Sequence, residues 1–401
     1  MRTLVSLAVA IVGAMPLAMP GSAPLEPAPG RLVSQTGVLG PADRDLLVRV
    51  RQAGLWERPA GAAARQRGND DVVKDVGEKI ADEHHDLDDL VRQVAAQLGV
   101  DLPDVPTAEQ QGWLDELATA QGESFDRVFV NRLRAAHGKI FPAIAKVRAG
   151  TRNPVIRDFA TAVDAYVARH MTYLEGTDLV DYVTLPASLG EASTGTSVEW
   201  TISPSGAVGP ADRDLLVRMR QTSLWQQDAA QAAQRLGRDQ KVRDIGGTLT
   251  KEYRALVEII SSVATELGVT LPDQPNAEQR RWLAEITTAR GDDIDRVFIE
   301  RLRAADGDIF PVIAAVRSNT RNELIRGFAA AAHDTVLRHM KYLEDSGLVD
   351  YGQLPLPPVP DGIRSAAFNR NGGVSPIVIW LIVSSAGVVA AAALAQWVRS
   401  R

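Results

Sequence analysis

The chain has 401 residues, enough for two or three domains of ordinary size, with 50 acidic against 44 basic side chains and a net charge of −6. It contains no cysteine, which excludes disulfides, thiolate metal sites, iron–sulfur clusters and cysteine nucleophiles, so any metal ion must be held by His, Asp and Glu. The charges are mixed along the chain, with no basic run interleaved with aromatics, so no nucleic-acid partner is expected.

The N-terminus, MRTLVSLAVAIVGAMPLAMPGSA, has one early arginine, an apolar run from Leu4 to Ala18 and then small residues. The run is short for a membrane span, and residues 1–23 read as a signal peptide. A helical pattern follows over 32–186. Pro41 behind Gly40 opens a helix that runs to about Gln66. A second runs from about Asp70 to Leu98, with Gly99 as its C-terminal cap and Pro103 beyond it. Thr107 with Gln110 three residues on is a capping box, opening a short helix that breaks near Gly122. A third long segment continues to about Arg148, and a fourth starts at Asn153 and Pro154 and runs to about Glu175. No stretch alternates with period two for long enough to be a strand. Four long helices with short connections pack as an antiparallel up-down bundle.

The whole pattern then recurs. GPADRDLLVR stands at 40–49 and at 209–218, and a shift of 169 residues aligns the two stretches without a gap as far as LVDY at 179–182 and 348–351. LGVDLPD faces LGVTLPD, and DRVFVNRLRAAHGKIFP faces DRVFIERLRAADGDIFP. Two copies at so long a period make a second bundle over 206–355, not a solenoid. Between them, 187–205 is rich in Ser, Thr and Gly and reads as a linker. Residues 356–373 are Pro-rich and then Gly-rich, a spacer. A transmembrane helix is expected over 374–398, where the stretch from Pro376 to Val398 is uncharged for 23 residues and would span roughly 35 Å as a helix. Arg399 and Arg401 in the tail 399–401 belong on the cytoplasmic side, which puts the bulk of the chain outside.

Within the first copy each long helix has one ionisable residue in its apolar stripe. Val73, Val76, Ile80, Leu87, Val91, Val94 and Leu98 recur at spacings of three and four, and His84 fills the gap between Ile80 and Leu87. His85 lies about 100° further round, towards solvent. His137 fills a gap among Phe129, Leu133, Ile140 and Ile144, and His170 one among Ile156, Phe159, Val163, Tyr166 and Tyr173. Glu57 shares a stripe with Leu46, Val50, Ala53 and Ala64. Counted from the hairpin turns, all four fall near the middle of the bundle. Glu57, His84, His137 and His170 are therefore the candidate ligands of one divalent transition metal, drawn from Zn, Mn, Fe, Ni and Cu. The competing reading is a set of buried polar residues hydrogen-bonded to one another. A di-iron oxidase centre needs paired Glu-x-x-His motifs, and no histidine here has a glutamate three residues before it. Asp126 and Asp295 read as capping or bridging residues, and Trp56, Trp113, Trp225 and Trp282 as packing.

Taken together, DRDLLVRVRQAGLWE, EH at 83–84, LGVDLP, FDRVFVNRLRAAHGKIF and VARHMTYLE resemble the bacterial family known as domain of unknown function 4142, often described as predicted outer-membrane proteins. The resemblance covers about 40–184 and 209–353. It implies a ferritin-like four-helix fold outside the cytoplasm, with Glu at the Glu57 place and His at the 84, 137 and 170 places. The second copy departs from that pattern with Gln226, Tyr253 and Asp306, keeping only His339. The family has no established activity.

The fold class expected is thus all-α: two tandem ferritin-like four-helix bundles plus one C-terminal transmembrane helix. The expected protein sits in the cell membrane by a single pass with its bulk extracytoplasmic, and acts as a binding module, for metal in copy 1. The alternatives are a structural or interaction module for envelope proteins without metal, and, after it, a metal-dependent oxidoreductase.

Overall fold

Several helix ends in this chain are set by local chemistry, where a capping residue stands. In the computed structural model, which describes residues 37–185 and 199–358, the first copy folds as α1 (Pro41–Arg67), α2 (Asp71–Leu98), a short α3 (Ala108–Thr119), α4 (Gly122–Gly150) and α5 (Pro154–Glu175). The Asp70 carboxylate accepts from the Val72 N–H and the Asn153 side chain from the Ile156 N–H, while Thr107 and Gln110 close a reciprocal capping box. Gly99 ends α2 with φ 63°, a left-handed conformation that a side chain would strain. Asp126 on α4 accepts from the N–H groups of Asn69 and Asp70, both at 2.9 Å, and so ties the start of α2 to α4.

The second copy repeats this order as α6 (Pro210–Leu236), α7 (Gln240–Glu266), α8 (Ala277–Thr288), α9 (Asp293–Asn319) and α10 (Glu323–Asp345). Asp295 accepts from the Arg238 and Asp239 N–H groups just as Asp126 does in copy 1. Before it lies an antiparallel hairpin of β1 (Thr201–Ser203) and β2 (Gly206–Val208), which corrects the expectation of no strand: β1 falls in the expected linker 187–205 and β2 at the start of the second bundle. Three residues are too few to show a period of two. The hairpin is held from outside, by the Asn322 amide donating to Ser203 Oγ at 2.9 Å and to the Gly206 carbonyl at 3.0 Å.

Inside each copy the first two helices approach closely over glycine. A Cβ on Gly77 would stand 2.6 Å from Ala64 Cβ, and one on Gly246 would stand 2.7 Å from the Ala230 carbonyl. The stripes then meet as expected, with Trp56, Ile80, Phe125, Phe129 and Leu133 among the buried core of copy 1.

The two copies share a core. α4 lies against α9, and Phe141 and Ile144 join one hydrophobic cluster with Phe310 and Ile313, their counterparts one repeat on. Truncating a buried phenylalanine of this kind costs roughly 3–5 kcal/mol. Polar contacts cross the junction in equivalent pairs. Arg134 donates to the Ser318 carbonyl and Arg303 to the Ala149 carbonyl, each at 3.0 Å. Arg148 forms a two-pronged pair with Glu344 (2.8 and 2.7 Å), and Arg317 forms the same pair with Glu175 (2.7 and 2.8 Å). Every one of these residues has its equivalent in the other copy 169 positions away, so the junction has local two-fold symmetry.

The described residues are all-α apart from the hairpin. Among them no helix is long and apolar enough to cross a membrane. The expected signal peptide at 1–23, the spacer from 359 onward, the transmembrane helix at 374–398 and the tail 399–401 lie outside the described residues.

Candidate metal centre

The four helices of copy 1 each bring one residue to the same level. Glu57 from α1, His84 from α2, His137 from α4 and His170 from α5 are all buried, and one potential ligand atom from each lies within 4.8 Å of the others. That is the convergence the stripe gaps imply. His85, one position round the helix, is exposed.

His84 Nε2 lies 2.8 Å from Glu57 Oε2, and His137 Nε2 lies 3.3 Å from the same oxygen. His137 Nε2 also faces His170 Nδ1 at 3.0 Å. The outer atoms of both rings are committed. His137 Nδ1 lies 2.8 Å from the Leu133 carbonyl, which can only accept, so the proton sits on Nδ1. His170 Nε2 lies 3.0 Å from Glu83 Oε2. Burial would raise the Glu83 carboxyl, but hydrogen bonds from His170 and Arg169 bring it down to about 2, so it is an anion that accepts. His170 therefore carries its proton on Nε2.

These two outer bonds turn the inner nitrogens, His137 Nε2 and His170 Nδ1, into lone pairs that face each other at 3.0 Å beside a carboxylate oxygen. A proton between them would relieve the contact. Burial, however, pushes the His137 imidazole below its usual value and the His170 imidazole down to about 4, which disfavours that proton at neutral pH. Burial alone would raise the Glu57 carboxyl, but His137 and His84, the latter hydrogen-bonded to it, hold it below the usual carboxylate range. His84 Nδ1 is buried with no hydrogen-bond partner. The arrangement is three nitrogen donors and one carboxylate in a buried core, short of positive charge. In a tetrahedral site with bonds of about 2.1 Å, donor atoms stand about 3.4 Å apart; the His84–Glu57, His137–Glu57 and His137–His170 pairs stand at 2.8, 3.3 and 3.0 Å, and the whole set lies within 4.8 Å.

Glu83 was absent from the expected site, although it orients His170. It accepts from Arg169 and from Tyr173 as well. The only signal was the pair EH at 83–84, and its second-copy counterpart Glu252 shows what that glutamate does. Glu252 pairs with His339 Nε2 at 2.9 Å and with Arg338. This outer support thus survives in copy 2, while the inner positions change.

In copy 2 Gln226 Nε2 donates to Asp306 Oδ1 at 2.7 Å, and the Tyr253 ring meets the His339 ring edge-on, centroids 4.7 Å apart. Burial pushes Asp306 up to about 6 and the Tyr253 hydroxyl well above its usual value. The Tyr253 hydroxyl therefore stays neutral and Asp306 is a weakened anion, so the centre of copy 2 keeps one imidazole and one carboxylate where copy 1 has three imidazoles and one carboxylate. Copy 2 has put an amide, a phenol and an aspartate in the places of Glu57, His84 and His137.

Compared with known families, residues 29–175 and 201–345 each match the family described as Domain of unknown function (DUF4142). No curated protein and no solved structure matches the chain.

Proposed function

This chain belongs to the DUF4142 family, in two tandem copies, and from that premise we propose that copy 1 is a binding module for one divalent transition-metal ion, held by Glu57, His84, His137 and His170. One observation carries this reading: the opposed lone pairs of His137 Nε2 and His170 Nδ1, fixed by bonds to Leu133 and Glu83, beside the Glu57 carboxylate. A divalent ion between these atoms turns their repulsion into coordination. The Glu83–Arg169 pair behind His170 then keeps its ring oriented.

The module is proposed to work outside the cytoplasm, anchored by the apolar stretch 374–398. Its support is the uncharged run from Pro376 to Val398 followed by Arg399 and Arg401. Protease added to intact cells should then digest the bundles, and a chain ending before Pro376 should be released. Protection of the bundles with retention of the truncated chain would refute the topology.

The direct test is elemental analysis of the full chain, purified and equilibrated with excess Zn2+, Mn2+, Fe2+, Ni2+ or Cu2+ in turn. One ion per chain is expected for at least one metal, lost in His84→Ala and in His170→Ala and kept in His85→Ala. Absence of any stoichiometric ion would refute the metal. A second reading, an interaction or structural module without metal, is favoured by copy 2, which builds the same bundle around a centre with a single imidazole.

A further inference from the structure

We infer that the ion reaches the centre of copy 1 through a side opening between α1, α3 and α4, and that copy 2 has closed the equivalent opening. This rests on the metal reading above and names the way in to that same site. A cavity of about 280 Å³ lies between these three helices. Of the four candidate ligands, Glu57 lines it. A carboxylate is the donor that a hydrated divalent ion meets most readily, because it offers charge and oxygen before the ion has shed its water.

The walls are small where the passage needs width. Ala53 lies one turn before Glu57 on α1, and Gln110 stands opposite on α3; both line the cavity and both are half-buried. Trp113 forms part of the wall, edge-on to Trp56 with centroids 4.9 Å apart. Across the mouth, Lys139 on α4 pairs with Glu109 on α3 at 3.7 Å, and both side chains are largely exposed, so the bridge is weak and opens readily.

The same place in copy 2 is built differently. Ala53 is replaced by Thr222, whose hydroxyl accepts from the Gln279 amide at 3.4 Å, and Gln279 is the counterpart of Gln110. Thr222 and Gln279 are both buried. A hydrogen bond between α6 and α8 thus spans the gap that stays open between α1 and α3. The copy that has lost the carboxylate and two imidazoles has also lost the way in, which ties the opening to the site and not to the fold.

The test uses the metal-free full chain and Co2+ alone as probe, followed by stopped-flow absorbance, with the end point read as bound Co2+ per chain. Ala53→Thr copies the closed copy. It should slow uptake by about tenfold or more with the end point unchanged. Adding Gln110→Ala to it removes the bonding partner and should return the rate to near that of the wild type. Uptake by Ala53→Thr at the wild-type rate would overturn the route while leaving the metal centre standing. A reduced end point at an unchanged rate would also overturn it, since Ala53 would then act on the site itself. A wild type that takes up no Co2+, Zn2+ or other divalent ion would remove the centre and the route together.

Discussion

Asp164 and His333 occupy the same position in the two copies, 169 residues apart, and face each other across the junction at 3.3 Å. Both are buried. The His333 ring is flanked by the Phe141 and Phe310 rings, themselves equivalent, at centroid distances of 4.5 and 4.3 Å. The local two-fold of the junction therefore passes between one acid and one base. Two identical copies would set like against like at this point.

Exchanging charge at the pair should expose that asymmetry. His333→Asp opposes two carboxylates and Asp164→His opposes two imidazoles; each should cost about 3–5 kcal/mol, the usual penalty for breaking a buried pair. The double exchange restores one acid against one base and should recover most of the loss. Urea unfolding of the full chain measures all three.

The same pair sets a pH dependence. Burial would lower the His333 imidazole, but Asp164 and Asp334 hold it above its usual value; Arg169 and Arg317 line the same cavity. Its folded pKa thus exceeds the unfolded value of about 6.5. The pair's contribution is fully present below about pH 6.5 and is lost as pH rises through the folded value. Unfolding free energy should fall across that alkaline range in the wild type. Asp164→Asn with His333→Gln should flatten the slope.

Glu175 accepts from Arg134 at 2.9 Å and from Arg317 at 2.7 Å, joining both copies through one carboxylate. Glu175→Gln leaves two buried guanidiniums without their anion and should destabilise by about 3–5 kcal/mol. Because the copies share a core, the wild type should unfold in one transition. Glu175→Gln combined with Glu344→Gln should split it into two, which calorimetry resolves.

Asp306 in copy 2 is pushed up to about 6 by burial, above its unfolded value of about 3.8. An acid with a raised folded pKa favours folding when protonated, so stability falls as pH rises from about 4 to 6. Asp306→Asn keeps an acceptor for Gln226 and removes the charge. It should stabilise the chain at pH 7 by on the order of 1–3 kcal/mol and leave stability at pH 4 nearly unchanged. Thermal unfolding at the two pH values checks it.

The outer support Glu252–His339 is intact, so the inner site of copy 2 should be recoverable. Gln226→Glu, Tyr253→His and Asp306→His together should raise bound metal from one ion per chain to two. The second ion should load slowly while Thr222 and Gln279 close the passage, and faster once Thr222→Ala is added. Elemental analysis of the full chain gives the stoichiometry.

Much of this was legible in the sequence because it is local. Helix ends follow from Asp70, Thr107, Asn153 and Gly99, whose side chains or backbone act on atoms two to five residues away. The inward direction of Glu57, His84, His137 and His170 follows from a period of 3.6 residues, and their common level follows from short turns of known length. The 169-residue register showed which of them copy 2 had lost. Tertiary structure alone decided what lies across the gaps between elements. Glu83 faces outward from the stripe of α2, and only the placement of α5 makes it the partner of His170. No periodicity marks Arg148, Arg317, Asp164 or His333 as junction residues, because their partners sit 142 to 196 positions away on another helix. The open passage beside Ala53 was equally hidden. Its width depends on how far α3 stands from α1, a distance set by packing over the whole bundle and by no residue on its own.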